Sequence, residues 1–435
     1  MPDKREQVES IKKSGLGSDG CASKGVSAMK RWMVVLAMTA MLLAACSVRD
    51  ASDTGIRQPD PPEPATEEPL TSAETPRSET ERRLEQATEQ AEESSGHADA
   101  EGQVQAPDEP DEPAEPVVLA DNLRIPWSIE MFGDVIYLTE RPGGIVRIGN
   151  GVVERQRVEL SKKLSSAAEA GMLGFVLAPD FAQTRQAYAY YTYQEGSRPL
   201  NRIVLLRLEG DVWKEDQVLI DRIPSGRVHH GGRLKIGPDG KLYATTGDAA
   251  EANLAQNPES LGGKILRMNL DGSIPDDNPF PGSYMYSYGH RNPQGLVWTP
   301  DGTLYASEHG NRANDEINVI EAGLNYGWPV IEGTERREGY VTPLFTSGRN
   351  TTWAPSGLAW HDGKIYAAAL RGSAILEFDP ASGEHRTVIT GYGRIRDVRV
   401  EGRYLYFVTN NTDGRGDPRE NDDKLYRVPL NAFRR

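Results

Sequence analysis

The chain has 435 residues, enough for one large domain or two ordinary ones. Its 49 basic and 64 acidic residues give a formal net charge of −15, which argues against nucleic acid as a partner, because phosphate neutralisation needs a basic face. The two cysteines, Cys21 and Cys46, both precede the part that reads as globular, so no disulfide is expected within the fold.

The first informative segment is 29–46, MKRWMVVLAMTAMLLAAC. Lys30 and Arg31 precede an apolar run too short to span a bilayer comfortably, so the segment reads as a signal peptide. Leu43-Ala44-Ala45-Cys46 resembles the bacterial lipobox, in which the cysteine is lipidated and becomes the mature N-terminus. An uncleaved anchor helix and an ordinary secretory signal are the alternatives, and both Met1 and Met29 stand as candidate starts. The expectation is an extracytoplasmic protein attached to the membrane by a lipid anchor only.

Residues 46–116 are rich in Pro, Glu, Asp, Ser and Thr and poor in large apolar residues. Such a stretch buries too little surface to offset its ordering entropy, and it is expected to be a disordered acidic tether. About 70 flexible residues reach roughly 45 Å.

From 117 to 435 the chain reads as all-β, with short strand signals and dense turns such as Gly149-Asn150-Gly151, Pro238-Asp239-Gly240 and Pro300-Asp301-Gly302. One unit recurs, a turn followed by apolar residues and Tyr, at Tyr137, Tyr188, Tyr243, Tyr305, Tyr366 and Tyr406. Six such units over about 320 residues suit a six-bladed β-propeller of four strands per blade, which leaves only short, protected edges and a central channel.

Several segments occur in one order: IPWSIEM (125–131), TERPGGIVRI (139–148), GMLGFVLAPDF (171–181), HHGGRLKIGPDGKLYATTGD (229–248), GGKILRMNLDGSIPDDNPF (262–280), GHRNPQGL (289–296), SEHGNRANDEINVI (307–320), NYGWP (325–329), WAPSGLAW (353–360) and GRIRDVRV (393–400). Together they resemble the soluble pyrroloquinoline quinone (PQQ)-dependent sugar dehydrogenases, and most closely the aldose sugar dehydrogenase branch. The resemblance covers about 119–428 and implies a quinone- and calcium-dependent oxidoreductase that takes hydride from C1 of an aldose and gives the lactone.

By that resemblance His229 is the general base, and Asp248 is the partner that orients it. Imidazole suits the role because its ordinary pKa lies near neutrality. Neighbouring residues on a strand point to opposite faces, so the two histidines are not expected to serve one substrate as equals. The motif spacing of the resemblance sets His229 toward the channel, and His230 bears on the sugar only if its ring lines the entrance. PQQ carries three carboxylates, which Arg binds bidentately. The implied cofactor contacts are Arg291, Asn292, Arg371, Arg394, Arg396 and Glu169. Glu169 departs from the family's usual Gln, and a carboxylate there costs energy unless it is protonated, paired or turned toward substrate. Ca²⁺ prefers oxygen ligands. The resemblance implies one ion on the carbonyls of Gly310 and Asn311, with His309 and Asp315 nearby, and a second on Glu316 and the carbonyl of Tyr326. The aromatic clamp of the glucose branch has no counterpart in 346–352, TSGRNTT, so broad aldose specificity is expected. The rivals are a dehydrogenase for another alcohol or aldehyde, such as sorbosone, and a non-catalytic sugar- or surface-binding propeller. The external electron acceptor is open.

Overall fold

The computed structural model describes residues 115–433. The signal segment, the lipidation candidate Cys46 and nearly all of the expected tether lie outside the described residues.

Strand β1 (Val117–Ala120) is followed by a meander of β2 (Pro126–Phe132), β3 (Val135–Glu140), β4 (Gly144–Gly149) and β5 (Val152–Glu159). A second meander has β6 (Met172–Leu177), β7 (Gln186–Glu195), β8 (Arg198–Glu209) and β9 (Val212–Pro224). The third runs through β10 (Leu234–Ile236), β11 (Leu242–Thr246), β12 (Lys264–Met268) and β13 (Met285–Tyr288). The fourth contains β14 (Pro293–Trp298), β15 (Leu304–Glu308), β16 (Glu316–Ile320) and β17 (Phe345–Thr346). The fifth contains β18 (Pro355–His361), β19 (Lys364–Ala369), β20 (Ala374–Asp379) and β21 (Glu384–Thr390). The last strands are β22 (Ile395–Glu401), β23 (Tyr404–Thr409) and β24 (Leu425–Pro429), and β1 completes their sheet in the order β1-β24-β23-β22.

Every pairing within a meander is antiparallel, as short hairpin connections require. A short parallel pairing of β5 with β9 joins the first two meanders into one eight-stranded sheet. The first strands of the meanders, β2, β6, β10, β14, β18 and β22, neighbour one another in sequence order, and β22 returns to β2. The sheets therefore radiate from a closed ring around a central channel, the architecture of a β-propeller.

Burial follows from that stacking. All six residues of β6 and all five of β11 and β12 are buried, because a sheet between two others is covered on both faces. By contrast β5 on the rim buries one residue of eight, Gln156. The apolar core lies between adjacent sheets. One cluster joins Leu173, Tyr190 and Ile203 to Leu234, Leu266 and Met268 of the next sheet. In another, the fully buried Trp213 meets Phe175, Phe181 and Tyr137 and donates its indole N–H to Gln156 at 2.9 Å. Truncating an aromatic in such a cluster costs about 3–5 kcal/mol. Near the axis the first strands approach so closely that glycine is required. A Cβ on Gly174 would lie 2.2 Å from the Gly232 carbonyl oxygen, and one on Gly295 would lie 2.2 Å from that of Ser356.

Candidate active site

The segment that ends the second meander and enters β10 carries the two histidines. His229 precedes β10 and has φ +63°, in the left-handed region, and it is followed by Gly231 and Gly232 at φ +62° and +100°. This is a turn rather than a strand, so the alternation of faces expected for 229 and 230 does not apply. The structure departs from strand alternation here: the His230 ring lines the cavity, and His229 sits beside it.

His229 is oriented from three sides. Its Nδ1 lies 2.7 Å from Asp248 Oδ1, its backbone N–H donates to Glu169 Oε2 at 2.9 Å, and its carbonyl accepts the Ala249 N–H. Asp248 is 1% exposed and ends the turn after β11. It accepts the Ala250 N–H at Oδ1 and the Trp328 indole N–H at Oδ2, both at 2.8 Å. These bonds fix the direction of the carboxylate. The second nitrogen of His229, Nε2, has no hydrogen bond among the described residues, on a side chain that keeps 16% exposure. A nitrogen so placed is free to take a proton.

The cavity has a volume of about 240 Å³. Five guanidinium groups line it, from Arg141, Arg371, Arg394, Arg396 and Arg415, against one lining carboxylate, Glu169. Arg396 is 6% exposed and donates only to neutral groups, Gln294 Oε1 at 2.7 Å and Asn410 Oδ1 at 2.9 Å. Burial, with Arg394 and Arg141 close by, lowers its pKa to about 9, so it remains charged at neutral pH. Arg141 donates only to the carbonyls of Ala168 and Ala170, and burial lowers its pKa as well. Arg394 is paired with Asp413 at 2.9 Å, while Arg371 is exposed at the cavity edge. Buried guanidiniums without carboxylate partners are costly alone, and an anionic ligand with several carboxylates would offset that cost.

The Glu169 departure has a local explanation. Burial opposes its ionisation, but Arg415 at 2.5 Å and the His229 N–H outweigh burial and hold its carboxyl at about 2. It is therefore a paired carboxylate rather than a bare charge facing an anion.

Arg291 and Asn292 are not brought to the cavity wall. Asn292 is 1% exposed and its Oδ1 accepts the Gly231 N–H at 3.0 Å, which fixes the turn that carries His230. Arg291 lies over the Trp328 ring at 5.4 Å and donates to the His309 carbonyl, and its own carbonyl accepts the Asp248 N–H. Both stand behind the His229–Asp248 pair.

The 309–316 turn has two parts. Asp315, 2% exposed, accepts the Gly310 N–H at Oδ1 and three donors at Oδ2: the Thr352 hydroxyl and the N–H groups of Trp353 and Ala354. It pins this turn to the strand entering β18, and the 346–352 stretch is held by the same carboxylate. Gly310 and Asn311 lie at the turn's tip, so coordination there would rest on their carbonyls. Behind them Glu316 faces Glu308 across the β15–β16 register. Burial, and then Glu308, push the Glu316 carboxyl up to about 8. The buried Asn318 Oδ1 beside it has no hydrogen-bond partner. Two inward carboxylates and an orphaned amide oxygen are the donor set a Ca²⁺ ion takes. The Tyr326 ring stacks on His290 at 4.7 Å, and His290 Nδ1 lies 2.8 Å from Glu308 Oε2. Among the described residues no group of three or more His, Cys, Asp or Glu side chains is arranged for a metal, so carbonyl and amide oxygens would have to supply the remaining ligands.

The residues that sequence reasoning left out are Arg141, Arg415, Gln294 and Trp328. Arg141 and Trp328 lie inside quoted motifs, TERPGG and NYGWP. Arg415, by contrast, is a turn arginine 246 positions from its partner Glu169, and nothing local marks it.

The sequence profile of the glucose/sorbosone dehydrogenase family matches residues 123–427. The chain belongs to that family. Among relatives of this family, the Escherichia coli aldose sugar dehydrogenase YliI is 30% identical over 68% of this chain and 90% of its own length. Quinoprotein glucose dehydrogenase B of Acinetobacter calcoaceticus is 35% identical, over 54% of this chain and 56% of that protein. The solved PQQ-bound aldose sugar dehydrogenase of Streptomyces coelicolor superimposes with a TM-score of 0.67 at 36% identity, covering 73% of this chain and 99% of that one.

Proposed function

We propose that this glucose/sorbosone dehydrogenase family member oxidises aldoses at C1 to lactones, using PQQ and Ca²⁺. The observation that carries the reading is the His229–Asp248 pair set beside a cavity of five arginines and one arginine-paired carboxylate. When bound, PQQ supplies the acceptor for the hydride that leaves C1, and Ca²⁺ supplies Lewis acidity.

The chain's own residues do the rest. Arg396, Arg394, Arg371 and Arg141 bind the carboxylates of the cofactor. His229 takes the proton of the anomeric hydroxyl at Nε2, while the oxygen's electrons form the new C=O bond as the C1 hydrogen departs with its pair. Asp248 holds Nδ1–H, keeps the ring in the accepting tautomer and stabilises the imidazolium that results. Trp328 and the Ala250 N–H hold Asp248 in place, and Arg291 and Asn292 support the same pair from behind. The carbonyls of Gly310 and Asn311 are assigned to one Ca²⁺. Glu316 and the carbonyl of Tyr326 are assigned to a second, with Glu308 alongside.

The ring of six first strands supports six blades. Cys46 is assigned as the lipidated residue of a protein carried outside the cytoplasmic membrane, with 46–116 as its tether; the segment 29–46 supports this.

Reconstituting the purified protein with PQQ and Ca²⁺, then following dye reduction over a panel of sugars, tests the function. Turnover of several aldoses to lactones is expected. Cofactor binding without turnover of any sugar would favour a non-catalytic binder, and oxidation confined to an aldehyde substrate would favour a sorbosone-type activity.

A further inference from the structure

His230 is held as carefully as His229, although the reaction above gives it no role. Its backbone carbonyl accepts the hydroxyl of the fully buried Tyr190 at 2.8 Å. Its ring Nδ1 lies 2.9 Å from Ser225 Oγ, and the next N–H, of Gly231, is fixed by Asn292. The ring is 2% exposed and lines the arginine cavity, yet its Nε2 is buried with no hydrogen-bond partner. Native proteins leave few buried polar atoms unpaired, and an apolar ring would fill this space without that cost.

We propose that His230 is a second functional imidazole of the cavity, which donates its Nε2–H to an anionic oxygen of the bound cofactor, with Ser225 as the positioning residue that sets the tautomer. The inference rests on the PQQ reading of this cavity. Three features support the direction of the bond. Burial lowers the ring's pKa to about 4, so it is neutral at neutral pH and one nitrogen carries the only proton. No guanidinium of the cavity bonds Nε2, although Arg141 is close enough to act on the ring electrostatically. A lone pair at Nε2 would draw such a donor, whereas an N–H would not. The Ser225 hydroxyl then donates to Nδ1. The Glu169 carboxylate also acts on the ring, but its oxygens accept from Arg415 and the His229 N–H and neither bonds Nε2, so an Nε2–H finds its acceptor in an anionic ligand and adds direction to the arginines' charge.

The test is a titration of the Ca²⁺-loaded full chain with PQQ, followed by quenching of tryptophan emission, since Trp127 lines the cavity, and by the visible band of the quinone. His230→Leu should raise Kd roughly 10- to 100-fold, the loss of one hydrogen bond to a charged acceptor. His230→Gln, which keeps an N–H donor, should recover part of that loss. Ser225→Ala should raise Kd by roughly threefold to tenfold without lowering the melting temperature appreciably. Folded His230→Leu that binds PQQ within twofold of wild type overturns the inference alone. Wild type that fails to bind PQQ overturns the cofactor reading and this inference with it. If His230→Leu does not fold, ¹⁵N-histidine spectra of the wild type decide: the His230 Nε2 should be protonated and should shift on adding PQQ, and an unprotonated or unshifted Nε2 overturns the proposal.

Discussion

At the residue scale, His229 sits at φ +63°, a conformation that costs a non-glycine residue on the order of 1–3 kcal/mol. The fold over-determines it with Glu169 on its N–H, Ala249 on its carbonyl and Asp248 on its ring. Because the His229 ring bonds Asp248 and none of the arginines, His229→Gln should keep PQQ bound and lose the base, lowering kcat by about 10²- to 10⁴-fold. Steady-state kinetics on reconstituted, cofactor-quantified protein checks this, and an active variant would remove the base from this position. The Glu169–Arg415 pair gives a prediction about pH. The folded Glu169 carboxyl is held at about 2, below the unfolded value near 4.3, so its contribution to stability is present above about pH 4.5 and is lost as pH falls toward 2. Arg415 is 49% exposed, which limits the pair to about 1 kcal/mol. Arg415→Gln should therefore melt slightly lower than wild type at pH 7, and the two curves should converge by about pH 2. A gap that persists in acid would show that Arg415 acts through packing instead.

At the element scale, the register of β15 and β16 sets Glu308 opposite Glu316, and like charges directly opposite destabilise an antiparallel pair. Without Ca²⁺ at neutral pH that conflict is avoided only by holding Glu316 protonated, with its carboxyl pushed up to about 8, so Glu316→Gln should raise the melting temperature by removing the cost of that protonation. With Ca²⁺, wild type should gain stability, about 2.7 kcal/mol at one hundred times Kd, and the variant should gain less. Calorimetry with and without chelator measures both signs at once. The loop between β11 and β12 depends on a different device. Lys264, fully buried, donates to the carbonyls of Leu254, Ala255 and Gly262. Lys264→Met strands those acceptors and should cost about 3 kcal/mol or more in chemical denaturation, lowering kcat too, since the loop begins at Asp248. The elements themselves were well marked in the sequence. Tyr137, Tyr188, Tyr243, Tyr305, Tyr366 and Tyr406 fall on β3, β7, β11, β15, β19 and β23, the second strand of each four, all buried. A repeating unit writes its period into the chain. The site was less legible. His229, Asp248 and three of the cavity arginines lay within recognisable motifs, but the facing of His230 depends on a left-handed residue that breaks strand alternation. The Glu169–Arg415 contact depends on closure of the whole ring, which no local pattern encodes.

That closure is the property of the whole molecule. A propeller built only from consecutive meanders would leave its first and last sheets joined by packing alone. Here β1, from the start of the described chain, supplies the outer strand of the last sheet, pairing Val117 with Arg427, Val118 with Tyr426 and Ala120 with Leu425. The join continues past the strand, where the Leu123 N–H donates to the Asp423 carbonyl and the Asp423 N–H to that of Leu123. Ala120 and Leu123 enter a core cluster with Val146, Val408 and Leu425, drawn from both the first and the last sheets. Removing β1 would strip these contacts and expose β24 as an unpaired edge, a template for aggregation. The acidic stretch before it offers no apolar stripe to dock. Two truncations therefore separate the contributions. A chain beginning at Glu115 should melt within a few degrees of the full chain, whereas one beginning at Asp121 should melt much lower, by ten degrees or more on the order expected for losing several kcal/mol, and should aggregate on heating. Scanning calorimetry with light scattering reads both. If the chain beginning at Asp121 melts like the longer one, the ring is held by the packing of its inner strands, and β1 is only a cover.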